Sequence, residues 1–193
     1  MASTASPYGF VPVRKADGTP YAGARDAFLI TPAGVAQNIG YGSIVELNAG
    51  YVQLASGTGA HATTNNLGGS SIGALGVFVG CEYINAEGQL IFAQYYPSGT
   101  ANATAYVVTD PGVTFQVQAD GAIAQTALGH NAPLTGAQNA TTSVNTSTGK
   151  SNVALDATTA TATKAFKVIG FVTKPGSAIG DAKTDVLVKF NLP

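Results

Sequence analysis

The stretch "ALGVFVGCEYINAEGQLIFAQYY", residues 74–96, decides the fold class of this chain. Two runs rich in apolar residues, 74–84 and 89–96, flank the polar turn Asn85-Ala-Glu-Gly88. A turn of this composition between two such runs is typical of a β-hairpin. Four residues of the first run occupy alternate positions and are predicted to share one face of a strand: Val77, Val79, Cys81 and Tyr83.

The same pattern recurs along the chain. Residues 43–47 and 51–54 flank a short connection that contains Gly50, which predicts a second hairpin. Asp110-Pro-Gly112 separates 106–109 from 113–118 and predicts a third. Residues 166–174 and 185–190 form a last apolar pair, and helical periodicity is nearly absent. Short strands with turn signals between them predict an all-β fold, a single β-sandwich or small β-barrel.

Two long polar stretches and one proline-rich stretch interrupt this pattern. Residues 56–73 and 135–163 exceed ordinary connection lengths, so they are predicted to be long loops that are either mobile or ordered by a partner. Residues 1–27 contain Pro7, Pro12 and Pro20, which favour an extended path. The sequence therefore predicts an extended N-terminal arm, 1–27, followed by a β-rich domain, 28–193.

The arm carries apolar and basic side chains that a solvated linker does not need. We expect it to bind a neighbouring subunit or another protein rather than complete its own core, by adding to a sheet edge or lying in a groove. The alternative, an arm folded back onto its own barrel, remains open. The predicted interaction residues are Tyr8, Phe10, Val13, Arg14, Lys15, Tyr21 and Arg25.

The charge of the chain is low and unevenly distributed. Charged residues make up 10% of the chain and the net charge is −1. Residues 26–149 contain no Lys or Arg and carry −6, whereas residues 1–25 carry +2 and residues 150–193 carry +3. Nucleic-acid binding needs clustered cations, which the central body lacks, so it is not expected. The sequence also predicts neither a secretory signal nor a membrane span.

Few residues could carry catalysis. The histidines, His61 and His130, lie in predicted loops, and Cys81 alternates with apolar residues, which favours a buried small hydrophobe over a nucleophile. Glu82 and Glu87 straddle the hairpin turn, where solvation alone explains polar residues. We therefore expect no enzyme activity, no cofactor and no metal site.

The segments "VFVGCEYINAEGQLIFAQYYPSGT" and "AYVVTDPGVTFQVQADG" resemble head-associated structural proteins of tailed bacteriophages, the cement or decoration proteins. The opening "PYGFVPVRKADGTPYAG" and the closing "FKVIGFVTKPGSAIGDAKTDVLVKFN" are similar to the ends of that family. The resemblance implies a β-rich subunit, made in the host cytoplasm, that binds the major capsid protein on the outer surface of an icosahedral head. It brings no active site with it.

Two other readings and one assembly expectation follow from the same residues. A tail-fibre or receptor-binding module would recognise glycans through exposed Tyr95 and Tyr96, and an enzyme would need a deep pocket lined by His130 or paired carboxylates. The long polar loops and low charge predict a homo-oligomer whose loops meet around a symmetry axis, with a trimer slightly favoured over a dimer.

Overall fold

The computed structural model describes residues 4–56, 74–135, 138, 144–161, 164–175 and 177–191. Its regular elements are thirteen strands and one 3-10 turn, Gln125–Ala127, among these residues. The strands are β1 (Val11–Arg14), β2 (Asp26–Leu29), β3 (Ile44–Asn48), β4 (Tyr51–Leu54), β5 (Ala74–Ile84), β6 (Leu90–Ala93), β7 (Thr104–Val108), β8 (Thr114–Gln118), β9 (Asn131–Ala132), β10 (Val144–Asn145), β11 (Lys150–Ser151), β12 (Phe166–Phe171) and β13 (Asp185–Phe190).

The strands form two main antiparallel sheets that pack together. The five-stranded sheet has the order β1-β8-β13-β12-β9. The six-stranded sheet has the order β2-β7-β5-β3-β4, with β6 paired to β5 beyond the end of β3. Strands β10 and β11 form a separate two-stranded ribbon. The predicted all-β fold is confirmed, and the packed sheets are consistent with a β-sandwich.

Three of the predicted hairpins are confirmed. Strands β3 and β4 are joined by Ala49 and Gly50 with φ of 50° and 86°, the positive values that a tight two-residue hairpin turn requires. Strands β5 and β6 pair directly across the turn 85–89, and β12 pairs with β13 along nearly its whole length. In each case the turn chemistry and the apolar runs point to the same pairing.

The predicted hairpin around Asp110-Pro-Gly112 is wrong. Strand β7 pairs with β5 and β2 in the six-stranded sheet, whereas β8 pairs with β1 and β13 in the five-stranded sheet. The turn itself forms, because Asp110 Oδ1 accepts a 2.8 Å hydrogen bond from the Gly112 amide. It carries the chain across the sandwich: Val108 and Val113, on either side of it, are both buried in the core between the sheets.

A bulge in β5 corrects the predicted single face of that strand. The register against β7 shifts between Phe78 and Gly80, so that Cys81 faces the same side as Phe78 and the opposite side from Val77. Gly80 has a φ of 142°, a conformation that L side chains rarely adopt, which suits glycine to the bulge. The alternation that the sequence suggested is therefore interrupted halfway along the strand.

Two hydrophobic cores result, one on each face of the six-stranded sheet. The first lies between the two sheets, where Phe10 and Phe166 stack with ring centroids 4.7 Å apart. It joins residues of the five-stranded sheet to Ile44, Val77 and Val108 of the other sheet. The second core covers the opposite face of the six-stranded sheet and contains Ile30, Ile39, Val45, Val52, Leu54, Phe78, Cys81, Tyr96, Ala103, Ala105 and Val107.

The N-terminal segment is not a free arm. Strand β1 pairs with β8 as the edge of the five-stranded sheet, and Phe10 is fully buried in the first core. The Ser6 amide donates a 2.8 Å hydrogen bond to Gln118 Oε1. The expectation that residues 1–27 do not complete their own core is therefore wrong, because Phe10 and the backbone of β1 find their partners within the chain. The alternative of an arm folded back is the one that forms.

Part of the predicted loop 135–163 is also ordered by the chain itself. Val153 and Leu155 are buried in the first core, and Leu155 forms bridges to Ala119 and Leu134. Gln138 is buried, and its Oε1 accepts a 2.8 Å hydrogen bond from the Ile44 amide. The other predicted loop, 56–73, lies outside the described residues except for its first residue.

Replacing Phe10 with alanine should lower the free energy of unfolding by about 3–5 kcal/mol, because it removes a fully buried ring from the core between the sheets. Urea unfolding followed by circular dichroism measures this change. Val13→Ala on the same strand is the control; its side chain is 39% exposed, so it should cost less than about 0.5 kcal/mol. Equal costs for the two variants would contradict the docking of the segment in its own core.

Candidate interaction surfaces

Cys81 is a small buried hydrophobe, as the sequence predicted. Its side chain is buried in the second core, and its Sγ donates a weak hydrogen bond to the Tyr95 carbonyl oxygen at 3.5 Å. Burial, with a smaller contribution from the charge of Glu82, raises the pKa of the thiol to about 12. A thiol with so little thiolate at neutral pH is a poor nucleophile.

The remaining candidates for chemistry are not brought together. The carboxylate of Glu82 accepts a 2.7 Å hydrogen bond from the Tyr106 hydroxyl, while Glu87 is exposed in the hairpin turn. Four clefts in the described part of the chain each contain one of Gln118, Lys189, Gln53 and Phe190. None of the four is lined by His130 or by two carboxylates. Among the described residues no group of three His, Cys, Asp or Glu side chains could hold a metal ion, and His61 lies outside them.

Tyr96 does not fit the glycan-binding alternative. Its side chain is fully buried in the second core. Its hydroxyl donates a 2.7 Å hydrogen bond to the Thr100 carbonyl oxygen and accepts a 3.1 Å bond from the Val35 amide. The expected exposure of Tyr96 is therefore wrong, because the residue closes the second core instead of forming a sugar-stacking surface with Tyr95.

A row of cations crosses the outward face of the five-stranded sheet. Lys167 of β12 and Lys189 of β13 lie directly opposite each other in the antiparallel register. Lys189 also lines a shallow groove with Arg14 and Lys15 of the N-terminal segment. The one acidic residue of the groove, Asp17, accepts hydrogen bonds from Thr19. We call Arg14, Lys15, Lys167 and Lys189 the basic face.

The basic face keeps an excess of positive charge, because Asp17, whose charge interacts with Lys15, is the one carboxylate of the groove beside Arg14, Lys15 and Lys189. None of its four cations forms a salt bridge to a described residue, whereas Lys174, which lies outside the basic face, pairs with Asp185 at 2.6 Å. Like charges directly opposite each other in a sheet lower stability. The sheet therefore keeps an arrangement that folding alone does not favour.

The basic face follows from the distribution of charge along the sequence. The six-stranded sheet is built entirely from residues 26–108, which contain no Lys or Arg. The five-stranded sheet takes three of its strands, β1, β12 and β13, from the basic ends of the chain. Pairing the two ends against the same strand, β8, concentrates their cations on one sheet.

A second surface is apolar and lies on the six-stranded sheet. Four large hydrophobic side chains are each roughly three-fifths exposed there: Leu29 60%, Ile84 63%, Leu90 58% and Phe92 66%. The register places Leu29, Thr104, Glu82 and Phe92 side by side in one row across β2, β7, β5 and β6. Ile84 and Leu90 form the next pair along the hairpin. We call these four hydrophobic residues the apolar face.

Charged groups lie beside and within the apolar face, since Arg25 stands next to it and Glu82 lies in the row between Thr104 and Phe92. The Arg25 guanidinium lies 4.0 Å from the centre of the Tyr106 ring, and the Tyr106 hydroxyl donates to Glu82 Oε2. This hydrogen bond to the carboxylate raises the pKa of Tyr106 above its ordinary value. An arginine and a glutamate thus flank the same aromatic ring.

The structure divides the predicted interaction residues among different environments. Arg14 and Lys15 meet in the basic face, Arg25 borders the apolar face, and Val13 is partly exposed. Tyr8 is partly buried; its hydroxyl accepts a 2.8 Å hydrogen bond from Gln116 Nε2, and burial raises its pKa. The Tyr21 hydroxyl donates to the Ala24 carbonyl oxygen at 2.6 Å. Phe10 is a core residue and is not available to a partner.

Sequence reasoning missed Lys167, Lys189 and the whole apolar face. The lysines occupy alternate positions with buried residues in "FKV" and "VKF", a pattern that places them outward but gives no register between the strands. The apolar face carries no such signal, because residues such as Ile84 and Phe92 have the composition of ordinary core positions. Their exposure depends on where the opposing sheet ends.

Comparison with protein-family models, with curated proteins and with solved structures finds no match for this chain. In the part of the chain that the structure describes, no helix is long and apolar enough to cross a membrane.

Replacing Cys81 with alanine or serine should leave the fold intact and cost on the order of 1 kcal/mol of unfolding free energy, the loss expected for a small buried side chain. The native thiol should resist iodoacetamide at pH 8 and react after unfolding in urea, which mass spectrometry follows. Because the folded pKa lies above the ordinary value of 9.0, the stability that the thiol contributes relative to alanine should decline as pH rises from 9 towards 12. Rapid labelling of the folded protein would contradict the burial of the thiol.

Proposed function

We propose that this protein is a structural component of a tailed-phage virion that binds the outer surface of the icosahedral head and stabilises the shell by bridging capsid subunits. The observation that carries the proposal is the basic face, in which four cations stand near a single carboxylate, Asp17, and none of the four forms a salt bridge to a described residue. An arrangement that lowers subunit stability is kept where it serves another purpose, and recognition of an acidic protein surface is such a purpose.

The chemistry of the basic face suits carboxylates on a folded partner. Arg14 offers a planar guanidinium that can bind a carboxylate through two hydrogen bonds, while the three lysines act as point charges. The cations lie on two neighbouring strands and a groove beside them, so they present a fixed pattern. A fixed pattern of charge gives a contact its orientation and accelerates its formation.

The rest of the molecule is consistent with a binding role. Among the described residues the groups capable of catalysis are buried, exposed in turns or separated from one another, as for Cys81, Glu87 and His130. The charge content is 10%, and interface cores are depleted of charge. The resemblance of the hairpin and of both chain ends to phage cement proteins supplies the identity of the proposed partner, the major capsid protein.

Charge reversal on the basic face should weaken attachment without damaging the fold. Lys167→Glu and Lys189→Glu should each reduce retention on stripped phage heads by roughly tenfold, because a repulsive charge replaces an attractive one. The neutral variant Lys189→Gln should bind less tightly yet unfold at the same or a higher temperature, since it removes the repulsion from Lys167. Co-sedimentation with heads measures retention, and calorimetry measures unfolding.

Lys150→Glu is the matched control, because Lys150 is exposed on β11, which belongs to the separate two-stranded ribbon. Retention that is unchanged by Lys167→Glu and Lys189→Glu, or equally lowered by Lys150→Glu, would exclude attachment through the basic face. If the native protein bound duplex DNA at 150 mM salt and the same variants lost that binding, the partner of the basic face would be a nucleic acid and not an acidic protein.

A further inference from the structure

The apolar face is an uncovered part of the layer that forms the core between the sheets. On β7, Val108 lies in that core, and Tyr106 and Thr104 follow it at alternate positions on the same side. On β5, after the bulge, Gly80 pairs with Tyr106 and Glu82 pairs with Thr104, so these four residues lie on the same side of the sheet. The side of the six-stranded sheet that the five-stranded sheet covers at Val108 is thus continuous with the side that exposes Leu29 and Phe92.

We infer that the apolar face of one chain packs against the apolar face of a second copy across a two-fold axis, so that two copies form a dimer through their six-stranded sheets. A sheet with an apolar face is stable when another layer covers that face. Over one end of this sheet the covering layer is the five-stranded sheet of the same chain. Over the other end the described chain supplies no layer, and four large side chains remain exposed.

The area of the apolar face fits a dimer of this kind. A standard interface buries about 800 Å² on each partner, and four large side chains that are each three-fifths exposed supply on the order of half of that area. Tyr106, Thr104 and the open edge of β6 adjoin them and extend the surface. Phe92 is the most exposed of the four and offers an aromatic ring, a residue type enriched in interfaces.

The charges around the apolar face allow identical copies to meet. Arg25 and Glu82 contact Tyr106 and carry opposite charges, so together they add little net charge to the patch. A two-fold axis brings the same patch of each copy together, and a patch that carries both signs can place Arg25 of one copy near Glu82 of the other. The basic face, in contrast, would repel its own copy, which favours the apolar face for self-association.

The edge strand of the apolar face also lacks features that prevent association. Strand β6 pairs with β5 on one side and with no described strand on the other. Its sequence is "LIFA", flanked by Gln89 and Gln94, without the lysine or proline that protects exposed edges in many proteins. An edge of this composition is tolerated where an interface covers it.

This inference is independent of the attachment to a shell, because the two surfaces lie on different sheets and the dimer needs no capsid. It differs from the trimer that the polar loops favoured, since a self-complementary apolar patch produces a two-fold contact. The measurement is therefore the mass of the isolated full chain in solution, without phage heads.

Sedimentation equilibrium over a range of concentrations should show a monomer–dimer equilibrium for the native chain. Ile84→Glu and Leu90→Glu should raise the dimer dissociation constant by roughly thirtyfold or more, because each places a charge in the apolar contact. Two matched controls place glutamate at exposed isoleucine and leucine residues outside the apolar face. Ile179→Glu and Leu128→Glu, at residues 43% and 47% exposed, should leave the dimer unchanged. Circular dichroism checks that all four variants are folded.

Four results would overturn the inference. The first two are a native chain that stays monomeric at all concentrations and a native trimer. The other two are a dimer that persists in both apolar-face variants, and a dimer that the control substitutions weaken as much as the apolar-face substitutions do. Because substitution at the tip of the hairpin could disturb β5 and β6, Phe92→Ser provides a second, uncharged variant. It should weaken the dimer at an unchanged unfolding temperature of the monomer, since Phe92 is 66% exposed and contributes little to the subunit's own core.

Discussion

The bulge between Phe78 and Gly80 is the constraint on which the arrangement of both cores and of the apolar face depends. Before it, Val77 faces the core between the sheets and Phe78 faces the second core. If residues 77–82 alternated regularly without a bulge, Cys81 would point to the same side as Val77, and Glu82 would point into the second core. Burying an unpaired carboxylate there would cost several kcal/mol. The bulge keeps Cys81 inside and Glu82 outside, so the hairpin beyond it keeps an apolar outward side.

Local pattern was sufficient to predict most strands, because each hairpin joins residues that are close in sequence. The turn at Gly50 and the turn after Ile84 determine their pairings with few residues, and β12 and β13 share a long apolar register. The turn at Asp110 has equally good chemistry but joins strands in different sheets. A turn determines the direction of the chain, whereas the choice of sheet depends on contacts far away in sequence, which no local pattern contains.

The same limit explains why the N-terminal segment and the interaction surfaces were only partly predicted. Prolines indicated an extended path for residues 1–27. Strand β1 is extended, but the chain reverses direction between Arg14 and Pro20, and the sequence did not show that Phe10 completes the core. Likewise the sequence singled out Arg14 and Lys15 but not Lys167 and Lys189. The four cations come together only because β1 and β13 both pair with β8, and β12 pairs with β13. Distant pairing creates the surface, so single segments reveal only part of it.

The two surfaces also differ in what folding alone explains. Uneven charge along the sequence becomes uneven charge between the sheets, because each sheet draws on a different part of the chain. Cations therefore gather on the sheet that contains β1 and β13, whereas the sheet built around β5 has none of its own and exposes hydrophobic groups instead. Apolar burial supplies affinity without long-range direction, and clustered charge supplies direction with little affinity when exposed. A subunit that must both associate with its own kind and attach to another protein benefits from keeping these two kinds of surface on separate sheets, since each contact can then form without disturbing the other.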